Sequence, residues 1–333
     1  MSKRDLVLRA LRGEQTERVP VGFWFHFLAD ELRSDGLADP AYIDANLAGH
    51  RKFIDAFKPD MVKIMSDGFF CYPNEAFARA QNAKELARTR PIGARSPWIE
   101  KQVELVKRVT EHGKGEMMMF YNVFSPATIF KFLRHDSPVP GETALADCIT
   151  GDREAAAGAL MAAAEDFAVL AGRVITEGGA DGVYFSTQDA GDSRLDAALQ
   201  DAVIRPADYA VLEAAREAGG ANMLHVCGYE GHRNDLRRYT DYPVQAVNWA
   251  VNVEGVPLGR GKALFGGKPV IGGFDNTAQG VLYRGSRAEI EVETARILAE
   301  AGTTGVILGA DCTIPRDTSL ERLEWVRQCA HCQ

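Results

Sequence analysis

The 333-residue sequence lacks the features that mark several large classes of protein. It has no basic run, and its formal net charge of -8 argues against a nucleic-acid surface. Its amino terminus has an amphipathic helical pattern without the continuous apolar core or small-residue cleavage site of a signal peptide. No apolar stretch approaches the length that spans a bilayer. We therefore expect a cytoplasmic protein that binds neither nucleic acid nor a membrane.

Cysteine is also scarce, and the chain has no linker-like stretch, internal repeat or low-complexity tract. The six cysteines are Cys71, Cys148, Cys227, Cys312, Cys329 and Cys332. Thiols scattered through a long chain without a secretion signal indicate reduced cysteines and not a disulfide framework. We expect one domain over residues 1–333 with a short N-terminal helical extension, since one domain of this length buries a large core.

Short apolar runs typical of β-strands recur eight times along the chain. They cover residues 18–24, 61–65, 117–123, 182–185, 223–226, 244–249, 269–272 and 305–308. Between them, apolar residues recur at helical spacings of three and four, as in 154–177, 207–218 and 287–301. Eight strands alternating with helices predict an α/β protein with a (β/α)8 TIM barrel. A doubly wound open sheet is the alternative, weakened by the absence of a Gly-x-Gly-x-x-Gly turn after the first strand.

Polar residues follow nearly every predicted strand. Because the C-terminal strand ends of such a barrel form its mouth, we expect these side chains to converge there. They are Asp67, Asn122, Ser125, Gln188, Asp189, His225, Cys227, Asn248, Asp275, Asp311 and Cys312. His26, which follows the first aromatic strand, either reaches this mouth or packs in the core.

Two apolar runs end in residues that bind metals. Residues 222–228 read N-M-L-H-V-C-G, and residues 308–315 read L-G-A-D-C-T-I-P. His225 and Cys227 face the same side of a strand, and Cys312 would reach them across the mouth. One imidazole and two thiolates suit tetrahedral zinc, with a fourth position left for water or substrate. His-x-Cys alone is a weak signal, so packing of buried cysteines remains the alternative.

Several short motifs, in their order and spacing, resemble the uroporphyrinogen decarboxylase superfamily of (β/α)8 barrels over nearly the whole chain. They are L-R-A-L-R-G-E-Q-T-E-R-V-P-V near the start, I-M-S-D at 64–67, S-P-A-T at 125–128, N-W at 248–249, G-G-F-D at 272–275 and the final L-G-A-D-C-T-I-P. The decarboxylases carry Arg-Gln-Ala-Gly-Arg after the first strand. This chain reads V-G-F-W-F-H-F there, and the next arginine after that stretch is Arg33. Phe132 and A-D-C replace their tyrosine and Gly-His-Gly. The arginine clamp for carboxylates is therefore missing, while Asp67 is kept.

The metal motif is similar to that of the methylcobamide:thiol methyltransferases, including those that methylate coenzyme M. This resemblance implies that His225, Cys227 and Cys312 bind Zn²⁺, which activates a thiol towards the methyl group of a corrinoid such as methylcobalamin. It also implies a separate corrinoid protein as partner and a small-molecule methyl donor or acceptor, with the direction of transfer left open.

The same resemblance suggests roles for the remaining residues at the mouth. Asp67 is expected to be catalytic, and the substrate-binding residues are expected to be Asn122, Gln188, Asp189, Asn248 and Asp275. Because Asn248 replaces an acid found in many relatives, the fourth zinc ligand stays open. The alternatives are a decarboxylase of a porphyrinogen-like substrate and a non-catalytic barrel that binds a corrinoid or tetrapyrrole.

Overall fold

Eight parallel strands form one curled sheet in the computed structural model, which describes residues 1–331. The strands are β1 (Val21–Gly22), β2 (Met61–Ile64), β3 (Met118–Phe124), β4 (Gly182–Thr187), β5 (Met223–Val226), β6 (Ala246–Trp249), β7 (Val270–Phe274) and β8 (Val306–Ala310). Their order in the sheet is β1-β8-β7-β6-β5-β4-β3-β2, a nearly closed barrel. The predicted (β/α)8 fold is confirmed. Cys332 lies outside the described residues.

Helices occupy the connections between the strands. They are α1 (Lys3–Leu11), α2 (Ala41–Phe57), α3 (Glu75–Arg79), α4 (Ala83–Leu86), α5 (Pro97–Gly113), α6 (Pro126–Phe132), α7 (Gly141–Gly151), α8 (Arg153–Thr176), α9 (Ala197–Val203), α10 (Arg205–Glu217), α11 (Val251–Glu254), α12 (Leu258–Leu264), α13 (Val281–Arg284), α14 (Arg287–Ala301) and α15 (Leu320–Cys329). Two short 3₁₀ turns, Tyr229–Gly231 and Leu236–Tyr239, follow β5. The three predicted helices correspond to α8, α10 and α14.

The inside of the barrel is a packed core. Side chains alternate between the two faces of a strand, and one residue in two along each strand points inwards. The inward-facing cluster contains Trp24, Met61, Met65, Met118, Phe120, Tyr184, Met223, Ala246, Ile271 and Ile307. Val7 and Leu11 of α1 join this cluster, so α1 covers the N-terminal end of the barrel. The C-terminal end of the barrel is not covered by α1, and this is the end at which the functional sites of such barrels lie.

The first strand is shorter than the predicted run over residues 18–24, because only Val21 and Gly22 pair with β8. The backbone N–H of Val21 donates to Oδ2 of Asp60 at 2.9 Å. The guanidinium of Arg18 binds the same carboxylate at 2.6 and 2.7 Å. Asp60 thus accepts the Val21 N–H, which could otherwise donate to a neighbouring strand. Within residues 1–331 no backbone ladder joins β1 to β2.

Among the described helices, α8 is long and apolar enough to cross a membrane by length and composition, although the sequence analysis expected no such stretch. Half of its apolar window is buried inside the protein. Leu160, Phe167 and Leu170 are buried, and the helix packs against α5, α7 and α10. Core helices meet the same test, so the apolar character of α8 agrees with its place in the helical layer.

Candidate metal centre

Three potential metal ligands meet at the C-terminal end of the barrel. His225 lies in β5, Cys227 directly follows that strand, and Cys312 follows β8. The Sγ atoms of the two cysteines are 3.9 Å apart, and the Sγ of Cys312 lies 3.4 Å from Nε2 of His225. All three ligand atoms lie within 4.8 Å of one another. The structure thus brings together the three residues that the sequence motif singled out.

Two of the three separations between these atoms match those around a zinc ion. Tetrahedral zinc, with Zn–S bonds of about 2.3 Å and Zn–N bonds of about 2.0 Å, places two sulfurs about 3.8 Å apart and sulfur and nitrogen about 3.5 Å apart. The observed separations of 3.9 and 3.4 Å agree with both values. Two thiolates and an imidazole also favour zinc over Mg²⁺ or Ca²⁺, which prefer oxygen ligands.

A buried asparagine determines which nitrogen of His225 faces the cysteines. The side-chain nitrogen of Asn248 donates to the carbonyls of Ile271 and Ala310 at 2.8 and 3.1 Å. Its Oδ1 is therefore the atom that faces Nδ1 of His225, at 2.5 Å. Because an amide oxygen only accepts, Nδ1 carries the proton and Nε2 keeps its lone pair for a metal. Asn248 lies behind the histidine and does not line the cavity described below.

Gly272 in β7 makes room for this amide. Its φ of +137° is a backbone conformation that residues with a side chain rarely adopt. A Cβ at this position would lie 3.1 Å from the side-chain nitrogen of Asn248. The glycine therefore lets the amide reach the carbonyls of Ile271 and Ala310.

The two thiols are electrostatically unequal. The hydrogen bond with Cys227 outweighs burial and, together with the His225 ring, holds the pKa of Cys312 well below that of an ordinary thiol. The same hydrogen bond, with burial, raises the pKa of Cys227. Because thiolates are the form that binds a metal, metal binding at this pair requires both thiols to lose their protons.

Lys63 lies near this centre, and the sequence analysis did not single it out. It stands between Met61 and Met65 in the alternating pattern M-V-K-I-M, on the face of β2 that points into the barrel. Its Nζ lies 4.5 Å from the ring centroid of Tyr184 and 5.1 Å from that of Trp24. Burial lowers its pKa to about 8, against the opposing effect of the cysteine sulfurs. The charge at an inward-facing position of an apolar strand was the signal that could have identified it.

A cavity of about 650 Å³ opens beside the three ligands. Its walls are mainly apolar and include Leu28, Met65, Phe70, Phe124, Phe132, Ala250, Val253 and Ile314. The ionisable residues that line it are His26, Glu31, Lys63, His225, Cys227, Tyr229, Glu230, Cys312 and Arg316. An apolar enclosure with a few polar groups is typical of small-molecule sites.

His26 reaches this cavity, which resolves the alternative left open by the sequence. Its Nδ1 lies 2.7 Å from Oδ1 of the buried Asp67. The other oxygen of Asp67 accepts the backbone N–H groups of Phe27 at 2.7 Å and Leu28 at 3.4 Å. Burial lowers the pKa of His26, but the Asp67 carboxylate outweighs it, so the pKa is raised. Asp67 therefore lies behind His26 and does not line the cavity itself.

The predicted substrate-binding residues divide into two groups. Asn122 lines the cavity and bonds to the hydroxyls of Ser66 and Ser186, each at 3.0 Å. Gln188 accepts from Nζ of Lys131 at 3.1 Å and lies outside the cavity lining.

Asp189 and Asp275 also lie outside the cavity lining. The carboxylate of Asp189 accepts from Arg238 at 2.8 Å, the Tyr239 hydroxyl at 2.7 Å and the Asp235 backbone at 2.8 Å. Asp189 thus anchors the loop after β5. Asp275 accepts the backbone N–H of Thr277 at 2.8 Å, as a turn residue does.

Asp311, beside Cys312, anchors the end of β8. Its Oδ2 accepts the backbone N–H and the side-chain amide of Asn252 at 2.7 and 2.9 Å. Burial raises the pKa of Asp311 to about 7. These bonds tie the segment that carries Cys312 to α11, the short helix after β6.

Comparison with known proteins gives one family and several structures of the same fold. Residues 72–332 match the family "Uroporphyrinogen decarboxylase (URO-D)". A methyltransferase from Methanosarcina mazei is similar with a TM-score of 0.68 and 15% identity, over 99% of this chain and 98% of that one. A putative vitamin-B12 independent methionine synthase from Listeria monocytogenes has a TM-score of 0.56 and 12% identity, over 95% and 98%. No curated protein matches the chain significantly. At these identities the solved structures establish the shared fold.

Proposed function

The chain belongs to the uroporphyrinogen decarboxylase family, and within it we propose that this protein is a zinc-dependent corrinoid methyltransferase. The proposed reaction moves a methyl group between a corrinoid cobalt and a thiol or another small acceptor or donor. One observation carries the proposal: an imidazole and two thiols lie within 4.8 Å of one another at the active end of the barrel. A structural neighbour described as a methyltransferase supports the same reaction class.

In this proposal the protein contributes ligands, orientation and an apolar enclosure. His225, Cys227 and Cys312 would hold the zinc ion, which supplies a nucleophilic thiolate near neutral pH by lowering the pKa of a bound thiol. Asn248 fixes the tautomer of His225 through the 2.5 Å contact at Nδ1. Apolar walls beside the ligands exclude water from the sulfur that reacts.

The size of the cavity supports a separate carrier for the corrinoid. About 650 Å³ suits a small molecule, whereas a corrin ring with its side chains needs more space. The methyl donor or acceptor would bind inside, and the corrinoid would approach from the mouth on a separate protein. We also propose that the protein works in the cytoplasm.

Decarboxylation of a porphyrinogen-like substrate is the second candidate, since the family carries that name and Asp67 is present. A substrate with many carboxylates calls for several bidentate cations. Arg316 is the single arginine among the described residues that line the cavity. This poor supply of guanidinium groups favours methyl transfer.

The direct test is an assay of methyl transfer from methylcobalamin to small thiols. The reaction is monitored through the change in the visible spectrum of the corrinoid. The zinc-loaded protein should consume methylcobalamin in a thiol-dependent reaction, and Cys312→Ser should abolish it. Cys71→Ser is a matched control because Cys71 is a free thiol outside the cavity. A zinc-loaded protein that demethylates no corrinoid with any thiol, yet decarboxylates uroporphyrinogen, would replace the first candidate by the second.

A further inference from the structure

Lys63 is a buried cation without a polar partner. The residue is 5% exposed, and it lines the cavity with the three ligand residues. Within residues 1–331 its ammonium makes no hydrogen bond or ion pair, and it lies over the rings of Trp24 and Tyr184. Burying an ammonium is costly, and contacts with aromatic faces offset only part of that cost. An anion bound beside the Lys63 ammonium would offset the remaining cost of its burial.

A second buried lysine provides the contrast. Nζ of Lys131 lies 2.8 Å from the carbonyl oxygen of Asp189, 3.1 Å from Oε1 of Gln188 and 4.0 Å from Glu142. Lys131 does not line the cavity. It has the hydrogen-bond partners that a structural lysine needs, whereas Lys63 lines the cavity beside the three ligand residues.

Asp67 is the carboxylate that acts on the Lys63 charge, and it is already hydrogen-bonded to other groups. Asp67 and the two cysteine sulfurs are the anionic groups that act on the Lys63 ammonium. Asp67 is hydrogen-bonded to His26 at 2.7 Å and to the backbone of Phe27 at 2.7 Å. An additional anion at the metal centre would therefore find Lys63 without a competing ion pair.

Charge balance identifies that anion. A zinc ion with the thiolates of Cys227 and Cys312 and a neutral His225 is electrically neutral. A thiolate in the fourth position adds one negative charge, which the Lys63 ammonium balances. A thioether, an ether or another neutral methyl donor adds no charge and leaves the ammonium unbalanced.

We propose that Lys63 makes the metal centre selective for an anionic sulfur ligand, so that the small molecule bound there is a thiol that receives the methyl group. This inference rests on the proposed zinc-dependent function and assigns its direction. The incoming thiol loses its proton to solvent as its sulfur bonds to the metal. In the transfer, sulfur bonds to the methyl carbon while the carbon–cobalt bond breaks, and the electron pair of that bond stays with cobalt. The thioether product is neutral, so Lys63 no longer favours its retention.

The test compares two ligands that differ in charge at sulfur alone. The protein is loaded with Co²⁺ in place of zinc, and 2-mercaptoethanol is titrated while the sulfur-to-cobalt absorption band is recorded. The affinity of its methyl thioether, 2-(methylthio)ethanol, is measured by competition with the thiol. Lys63→Met should weaken thiol binding at least about tenfold and leave thioether binding within about twofold, because one unit of charge is removed beside the sulfur.

Three variants make this test specific. Lys63→Arg should keep thiol affinity within a few-fold, since the charge is retained, and Lys63→Gln replaces the Met variant if that one does not fold. Lys268→Met should leave both affinities unchanged, because Lys268 bonds to the carbonyls of Thr240 and Tyr242 and lies outside the cavity lining. A cobalt-loaded Lys63→Met or Lys63→Gln protein with unchanged preference for thiol over thioether would overturn the role of Lys63 and leave the proposed function standing. A wild-type protein that binds no metal before any thiol is added would overturn both.

Discussion

At Asn248, one amide group connects His225, a proposed zinc ligand, to two neighbouring strands. Its nitrogen is held by carbonyls of β7 and β8, and its oxygen faces His225. From the sequence, Asn248 was expected to bind substrate, because the family resemblance and its place at a strand end put it at the mouth of the barrel. The roles of Asn248 and Lys63 depend on neighbours that lie far away in sequence, and no local spacing encodes those pairings.

Replacing Asn248 with leucine should weaken zinc binding about 10- to 100-fold, the usual effect of removing the group that orients a histidine ligand. Competition with a chromophoric chelator measures the affinity. Asn122→Leu is the matched control, because Asn122 is also buried in a strand but bonds to Ser66 and Ser186 instead of a ligand. Equal zinc affinities in the two variants would contradict the role of Asn248.

The His26–Asp67 pair predicts a pH-dependent contribution to stability. The pKa of His26 is raised in the folded protein above about 6.5, its value in an unfolded chain. Protonated His26 therefore stabilises the folded state, fully below the unfolded pKa, and this contribution is lost as pH rises through the folded pKa.

Urea unfolding of the wild type and of His26→Gln across this pH range measures that contribution. The difference in free energy of unfolding should be largest on the acid side and shrink as pH rises. His135→Gln provides a control at an exposed histidine, whose ring contacts the carbonyl of Phe132 and the exposed carboxylate of Asp136, a pair that solvent screens. A difference that grows with rising pH would show that the sign is wrong.

At the scale of elements, a glycine in β7 makes room for the side chain of Asn248 in β6. This glycine, Gly272, has a positive φ and faces Asn248. The sequence predicted seven strands within a few residues of their observed ends, because apolar runs report burial directly. The absence of a ladder between β1 and β2 in the described residues could not be predicted, since the carboxylate that accepts the N–H of Val21 belongs to Asp60, 39 residues further along the chain.

Gly272→Ala should lower the free energy of unfolding by about 1–3 kcal/mol, because alanine tolerates this backbone conformation poorly. It should also weaken zinc binding, since the added Cβ would press on Asn248. Gly266→Ala is the control: Gly266 has a φ of +68° and nothing within 4 Å of an added Cβ. It should cost stability and leave zinc affinity unchanged. Normal zinc affinity in Gly272→Ala would contradict the steric link.

At the scale of the whole molecule, the fold brings residues from distant parts of the chain to one mouth. Cys227 and Cys312 are 85 positions apart and meet at 3.9 Å because β5 and β8 end at the same edge of the barrel. The alternation of strands and helices was enough to predict this convergence. It was not enough to separate residues that line the cavity, such as Asn122, from those such as Asp189 that hold loops together.

Whether His225, Cys227 and Cys312 form a zinc site is decided by the metal content of the purified protein, measured by mass spectrometry before and after incubation with zinc and beside a His225→Ala variant. We expect about one zinc per chain in the wild type and loss of that zinc in the variant. A wild-type protein that stays metal-free after zinc is supplied would contradict this expectation. His225, Cys227 and Cys312 would then be packing residues, and methyl transfer through zinc would be excluded.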